Sequence, residues 1–329
     1  MRNKFIFLLI AFCLAFMADI ILGSVDLPIN EVWHALTGNS SDNIYREIIL
    51  NHRIPKALTA ILAGSALSVA GVMMQTLFHN PLAGPDVLGV TSGASLGVAM
   101  LTLGASFLPF QIMAGWGQII TAILGSTCVL LLVVIASIKV PQTVSLLIIG
   151  MMFGNFAGAI VSILQSISNP DMLKLFITWT FGSLSSVGWG QMIILSSAIS
   201  GGLLLSMLLQ KQLNILLLGQ NYASGLGISV MRLRLLTIVA TAILAGTSTA
   251  FTGPIAFIGI TMPHIARGIM ETANHRVIIP TSMLCGATVL LICDIISQLP
   301  GSQGTLPINA ITALFGAPVI VWIIVKNKN

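Results

Sequence analysis

The thirteen residues TAILAGSALSVAG, Thr59–Gly71, come back in altered form as TAILAGTSTAFTG, Thr241–Gly253. Each copy follows basic residues, Arg53 and Lys56 in the first case and Arg232 and Arg234 in the second. Each leads into sequence punctuated by glycine and proline: HNPLAGPDVLGV from His79 to Val90, and GPIAFIGITMPH from Gly253 to His264. Short strings of small residues also recur by chance in membrane helices, and that is the competing reading. If the repeat is real, the chain has two halves, and the direction in which each copy crosses the membrane relates them.

Composition fixes the medium. The chain of 329 residues is 56% hydrophobic and 7% charged, with a mean hydropathy of +1.01. A soluble domain carries roughly a quarter charged residues, so this chain cannot cover a water-facing surface. The apolar runs are continuous rather than alternating, which selects helices over barrel strands. Ten runs approach the ~20 residues that cross a bilayer: 5–22, 54–78, 87–106, 112–136, 142–166, 190–209, 231–252, 255–269, 276–299 and 306–325. The first, FIFLLIAFCLAFMADIIL, follows Arg2 and Lys4 but lacks a small-x-small site after it, so it is read as an uncleaved span rather than a signal peptide. Cys13, Cys128, Cys285 and Cys293 all fall inside apolar runs without metal spacing and are read as core residues.

Basic residues set the orientation. With the N-terminus inside, Arg2, Lys4, Lys139, Lys211, Arg232, Arg234, Arg267, Arg276, Lys326 and Lys328 fall on the cytoplasmic side. Only Arg46, Arg53, Lys56 and Lys174 fall outside, joined there by Asp26, Glu31, Asp42, Glu47 and Asp171. Ten against four is a positive-inside asymmetry that puts both termini in the cytoplasm. The net charge of +5 is thereby accounted for without nucleic acid as a partner. In this topology the first copy of the repeat runs inward and the second outward, the arrangement expected of two inverted five-helix halves, about 1–166 and about 190–329.

Three segments interrupt the apolar pattern. In NPLAGP, Pro81 and Pro85 remove two backbone donors and Gly84 frees the chain between them, so the helix must turn there, with polar Asn80 and apolar Leu82 suited to a constriction or a plain connector. In GPIAFIGITMPHIARG, Pro254 and Pro263 act likewise and His264 and Arg267 are expected to face headgroups; no second ligand at metal spacing accompanies His264. The stretch 211–230 is the longest cytoplasmic connection, and its GQNYASGLGI is read as one short glycine-bounded helix, either a docking element for a soluble partner or a surface loop. Asp19 and Asp294 lie near the outer ends of the first and ninth spans and are read as structural.

Taken in order, RIPKALTAILAGSALSVAGVMMQTLFHNPLAGPDVLGVTSGASLG, WTFGSLSSVGW, LGQNYASGLGI, GPIAFIGITMPHIARG and LPINAITALFGAPVIVWII resemble successive blocks of the FecCD-type permeases, from about Arg53 to Lys326. These are membrane subunits of ABC importers for iron-siderophores, haem and vitamin B12. The resemblance implies an all-α integral membrane fold, the type II ABC importer permease architecture, over a single domain of residues 1–329 in a bacterial cytoplasmic (inner) membrane. It also implies a homodimer, two ATP-binding cassette subunits that use ATP and Mg, and a periplasmic or lipid-anchored substrate-binding protein. This chain would bind no cofactor and be no enzyme itself, and it contains no G-x-x-x-x-G-K-[ST] phosphate loop.

The resemblance also implies residue roles. Asn80 and Leu82, with Thr143 and Val144 of VPQTVS, correspond to a cytoplasmic gate; Gly219, Ala223, Leu226 and Gly227 correspond to the ATPase-coupling helix. Arg53 and Lys56 correspond to basic residues that pair with carboxylates of the binding protein, although Gln298 and Thr305 replace charges common in the family nearby; read from the sequence alone, they equally suit headgroup anchoring of the second span. The family often carries acids where this chain has Gln220 and Asn221. Other function classes fit less well: a secondary transporter driven by an ion gradient wants a midplane carboxylate, and a membrane enzyme wants a nucleophile or metal cluster.

Overall fold

The structure, a computed structural model, describes residues 2–23, 25, 27–37, 43–104, 115–140, 142–298 and 305–326. Its ten principal helices match the ten apolar runs: α1 (Arg2–Ile21), α4 (Ile54–Phe78), α5 (Val90–Thr102), α6 (Trp116–Lys139), α7 (Thr143–Ile167), α9 (Trp189–Leu216), α11 (Val230–Thr252), α12 (Ile258–Met270), α13 (His275–Ser297) and α14 (Ile308–Lys326). Seven are long and apolar enough to cross a membrane unaided. Four further helices join them: α2 (Ile29–Thr37), α3 (Asn43–Glu47), α8 (Pro170–Thr180) and α10 (Gln220–Gly225). Only α10 is anticipated by the sequence. A π-helical stretch, Ile48–Arg53, leads into α4 without a break. The end of the bundle where α1 begins is called proximal below, and the end where α1 finishes distal.

The axis of the molecule is α4. Of its 25 residues, 21 are buried, and it packs on α12 and α13, while its counterpart in the repeat, α11, packs on α5 and α6. Small residues make this possible. A Cβ on Gly71 would lie 1.6 Å from the Gly259 carbonyl oxygen of α12, and one on Gly64 would lie 2.3 Å from that of Gly286 in α13. Without a hydrophobic force between helices in lipid, such backbone approach supplies the dispersion contact that holds them. At the other extreme, α7 buries only Leu146, Gly150, Ala157 and Val161. An apolar helix so little covered by its own chain faces lipid or another subunit.

Both α5 and α12 have thirteen residues, about 20 Å of helix. The chain makes up the remaining depth with irregular backbone, which lipid tolerates only when protein groups satisfy it. Before α12 that condition is met by neighbours: Asn309 Oδ1 accepts from Ala256 N at 3.1 Å, and Thr252 O accepts from Ser183 N at 2.8 Å. Before α5 it is met by a short 3₁₀ turn, Pro85–Leu88, ending on Gly89 at φ 71°. At the proximal surface Lys4 Nζ donates to Glu271 at 2.8 Å, tying the start of α1 to the end of α12 and holding that exposed carboxyl below its usual range.

Candidate gate and coupling site

The turn after α4 is built from its own sequence. Phe78 ends the helix, and His79 adopts a left-handed conformation, φ 48°, whose N–H returns to Gln75 and Thr76 carbonyls. Asn80 then closes a local turn, its Oδ1 accepting from Leu82 N at 2.9 Å, the standard use of an Asn side chain to mimic backbone. Leu82 is left projecting, 44% exposed, between two prolines. Two histidines fasten the turn to other elements: His264 Nε2 of α12 lies 2.7 Å from Pro81 O, and His79 Nε2 lies 3.0 Å from Leu216 O at the end of α9. His264 therefore serves the turn rather than the headgroups. Arg267 is likewise turned inward, donating to Gln75 Oε1, while Gln75 Nε2 donates to Ile260 O of the proline-interrupted α12.

A second polar chain runs beside the first. Thr76 Oγ1 and His275 Nε2 are 2.7 Å apart, His275 Nδ1 and Asn214 Oδ1 are 2.8 Å apart, and Asn214 Nδ2 donates to Asn274 Oδ1 at 2.9 Å. It knits the proximal ends of α4, α9 and α13. The other gate candidates sit at the start of α7: Val144 is 67% exposed, and the Thr143 hydroxyl accepts from Gln220 Nε2 at 2.5 Å. Just before it, Val140 O accepts from Arg234 Nη1 of α11 at 3.1 Å.

Gln220 opens α10. Gly219 (φ 106°) and Gly227 (φ 80°) bracket this short helix in conformations that favour glycine. Ala223 points into the protein and is fully buried, its carbonyl accepting from Ile228 N at 3.0 Å. Leu217, Leu218, Tyr222 and Leu226 point out, so the segment carries an apolar knob with no acid on it.

At the distal end the two basic residues expected to meet the binding protein lie within the protein. Arg53 and Lys56 are not exposed at the mouth; they are 5% and 3% exposed. Arg53 turns back onto the open carbonyls at the end of α1, donating to Ile20 O (2.8 Å) and Ile21 O (2.6 Å), and onto Val25 O (2.5 Å) in the connection after it. Lys56 Nζ lies 2.7 Å from Asp294 Oδ2 and 4.0 Å from Asp19 Oδ1. The reason is electrostatic. Two carboxylates carried into the apolar region by α1 and α13 need a cation, and the last carbonyls of a helix need donors. Gln298 joins the group, donating to both Asp294 oxygens at 3.2 and 3.0 Å. Asp19 and Asp294 are thus structural, and both lie at helix ends rather than at mid-depth.

With the geometry in place, comparison with known proteins is decisive: residues 8–326 match the sequence profile of the FecCD transport family. The chain belongs to the FecCD transport family. Among similar proteins, the hemin transport system permease HmuU of Yersinia pestis is 32% identical over 98% of this chain and 95% of its own. The vitamin B12 import permease BtuC of Klebsiella pneumoniae is 35% identical over 84% and 82%. A structure assigned to a metal-chelate-type ABC transporter, in an inward-facing conformation, superposes with a TM-score of 0.87 at 28% identity, over 99% of this chain and 100% of that one. The FecCD chain is therefore an all-helical permease subunit of the type II importer architecture, and the ion-gradient alternative has no support. Among the described residues no group of three His, Cys, Asp or Glu side chains could hold a metal.

Several polar groups at the site escape the sequence reading of this FecCD chain: His79, Gln75, Asn214 and His275. The available signal is weak, namely hydrogen-bonding side chains at the last turn of an apolar span. Nothing in the sequence tells which of them meet.

Proposed function

We propose that this chain is the membrane-spanning subunit of an ATP-driven importer for an iron-siderophore complex or a similar metal chelate, haem and cobalamin included. Two copies would enclose the pathway, with α7, so little covered by its own chain, contributing to it. Two ATP-binding cassette subunits, using ATP and Mg, would dock on the proximal, cytoplasmic side, and an extracytoplasmic binding protein would deliver the chelate from the distal side. Asn80, Leu82, Thr143 and Val144 form the cytoplasmic gate in this reading, and Gly219, Ala223, Leu226 and Gly227 shape the coupling helix. The names of the relatives, a hemin and a vitamin B12 permease, support the substrate class.

The observation that carries the reading is α10: a glycine-bracketed helix presenting Tyr222 and Leu226, 56% and 57% exposed, at the end of the molecule rich in lysine and arginine. An exposed apolar knob on a charged face is a protein-docking feature. Because no acids accompany it, shape and apolar contact carry the docking. In this reading Arg53 and Lys56 serve the binding protein indirectly, by fixing α1, α4 and α13 around the distal mouth. The test is Tyr222→Glu and Leu226→Glu, each in the full chain purified in nanodiscs after co-expression with its ATPase. Each is expected to weaken ATPase retention about 30-fold, the effect of losing one interface anchor, with an unchanged melting temperature. Undiminished ATPase retention in both would overturn the assignment of α10.

A further inference from the structure

The candidate gate and the candidate coupling helix are joined by a side-chain link that the resemblance does not assign. Gln220 is the first residue of α10 and Thr143 the first of α7, and the Gln220 amide donates to the Thr143 hydroxyl at 2.5 Å. Among the described residues this is the only side-chain hydrogen bond from α10 to another element. Buried Ala223 seats the helix on its neighbours, while at its two ends Gly219 and Gly227 have nothing within 4 Å of where a Cβ would stand. The other gate segment is tied to the same stretch of chain, since His79 of the NPLA turn bonds Leu216 O, four residues before Gln220.

We infer that Gln220 is a positioning residue that couples α10 to the gate at Thr143 and Val144, rather than a contact for the ATPase. The inference rests on the permease reading above and deepens it. The chemistry of the position agrees. The Gln220 amide is half-buried and turned to a hydroxyl within the chain. A side chain spent on Thr143 is not free to reach a partner. When a bound partner displaces α10, this bond carries the displacement to the first turn of α7, beside exposed Val144, and the Leu216 anchor carries it to Leu82.

The test uses the full chain in nanodiscs with its ATPase subunits, Cys13, Cys128, Cys285 and Cys293 replaced, and Val144→Cys as a reporter. The maleimide labelling rate is measured before and after trapping with ATP, Mg and vanadate. The parent should show a change in rate. In Gln220→Leu and in Thr143→Val the change should shrink about five- to tenfold, the equivalent of one hydrogen bond, while the ATPase subunits stay bound. Thr143→Ser, which keeps the hydroxyl, should retain the response. The double variant should be no worse than either single one, because both remove the same contact. A full response in Gln220→Leu, or effects that multiply in the double variant, would overturn the link. Loss of the ATPase from Gln220→Leu alone would make Gln220 a docking contact, ending this inference but leaving the permease reading intact. No ATPase on the parent chain would end both.

Discussion

Lys56 shows how much a single side chain decides in this protein. Its side chain sits 4% exposed against Asp294 and Asp19. Removing one partner of a buried ion pair leaves an uncompensated charge, which typically costs about 3–5 kcal/mol. Lys56→Met should therefore lower the unfolding midpoint of the purified chain strongly, and Lys56→Met combined with Asp294→Asn should recover much of the loss. An unchanged midpoint in the single variant would show that the triad does not hold α1 and α13. The sequence tells the depth of Lys56 but not its rotation about α4. The two acids that face it are contributed by spans remote in the chain, so its burial is not legible from its position at a span end. The same blindness hides the Gln75–Arg267 and Thr76–His275 contacts, whose members are remote in sequence.

Helices were more legible than side chains. A continuous apolar run announces a span whatever its rotation, so the ten principal helices appear at the runs that mark them, with the largest shift at α9, which ends at Leu216 where its run ends at 209. The turn helices α2, α3 and α8 have no such run: they are short, and α2 and α8 are amphipathic rather than continuously apolar. Packing between spans depends on small residues that the repeat already displays. Gly71→Ala would drive a methyl into the Gly259 carbonyl, a backbone atom that cannot yield without separating α4 from α12. Overpacking of this kind costs about 1–3 kcal/mol or more, read as a lower unfolding midpoint. Gly201→Ala in α9 is the control, since nothing stands within 4 Å of its Cβ. There the helix should gain about 0.5–1 kcal/mol from the lost backbone freedom. If both alanines behaved alike, close approach at Gly71 would not be what fastens the axis.

At the scale of the whole molecule, membership of the FecCD transport family makes this chain a permease subunit, and in the function proposed above its driving energy comes from separate ATPase subunits. Its proximal end holds the NPLA turn, the start of α7 and α10, with His79 bonded to Leu216 O and Gln220 to Thr143. Its distal end is fixed from within by Arg53 and Lys56. The most direct test of this arrangement is native mass spectrometry of the complex extracted from its own membrane in a gentle detergent. Two copies of this chain with two copies of an ATPase bearing a phosphate loop is the expected mass. A chain that repeatedly flies alone or as a bare dimer, under conditions that keep related importers intact, would contradict it.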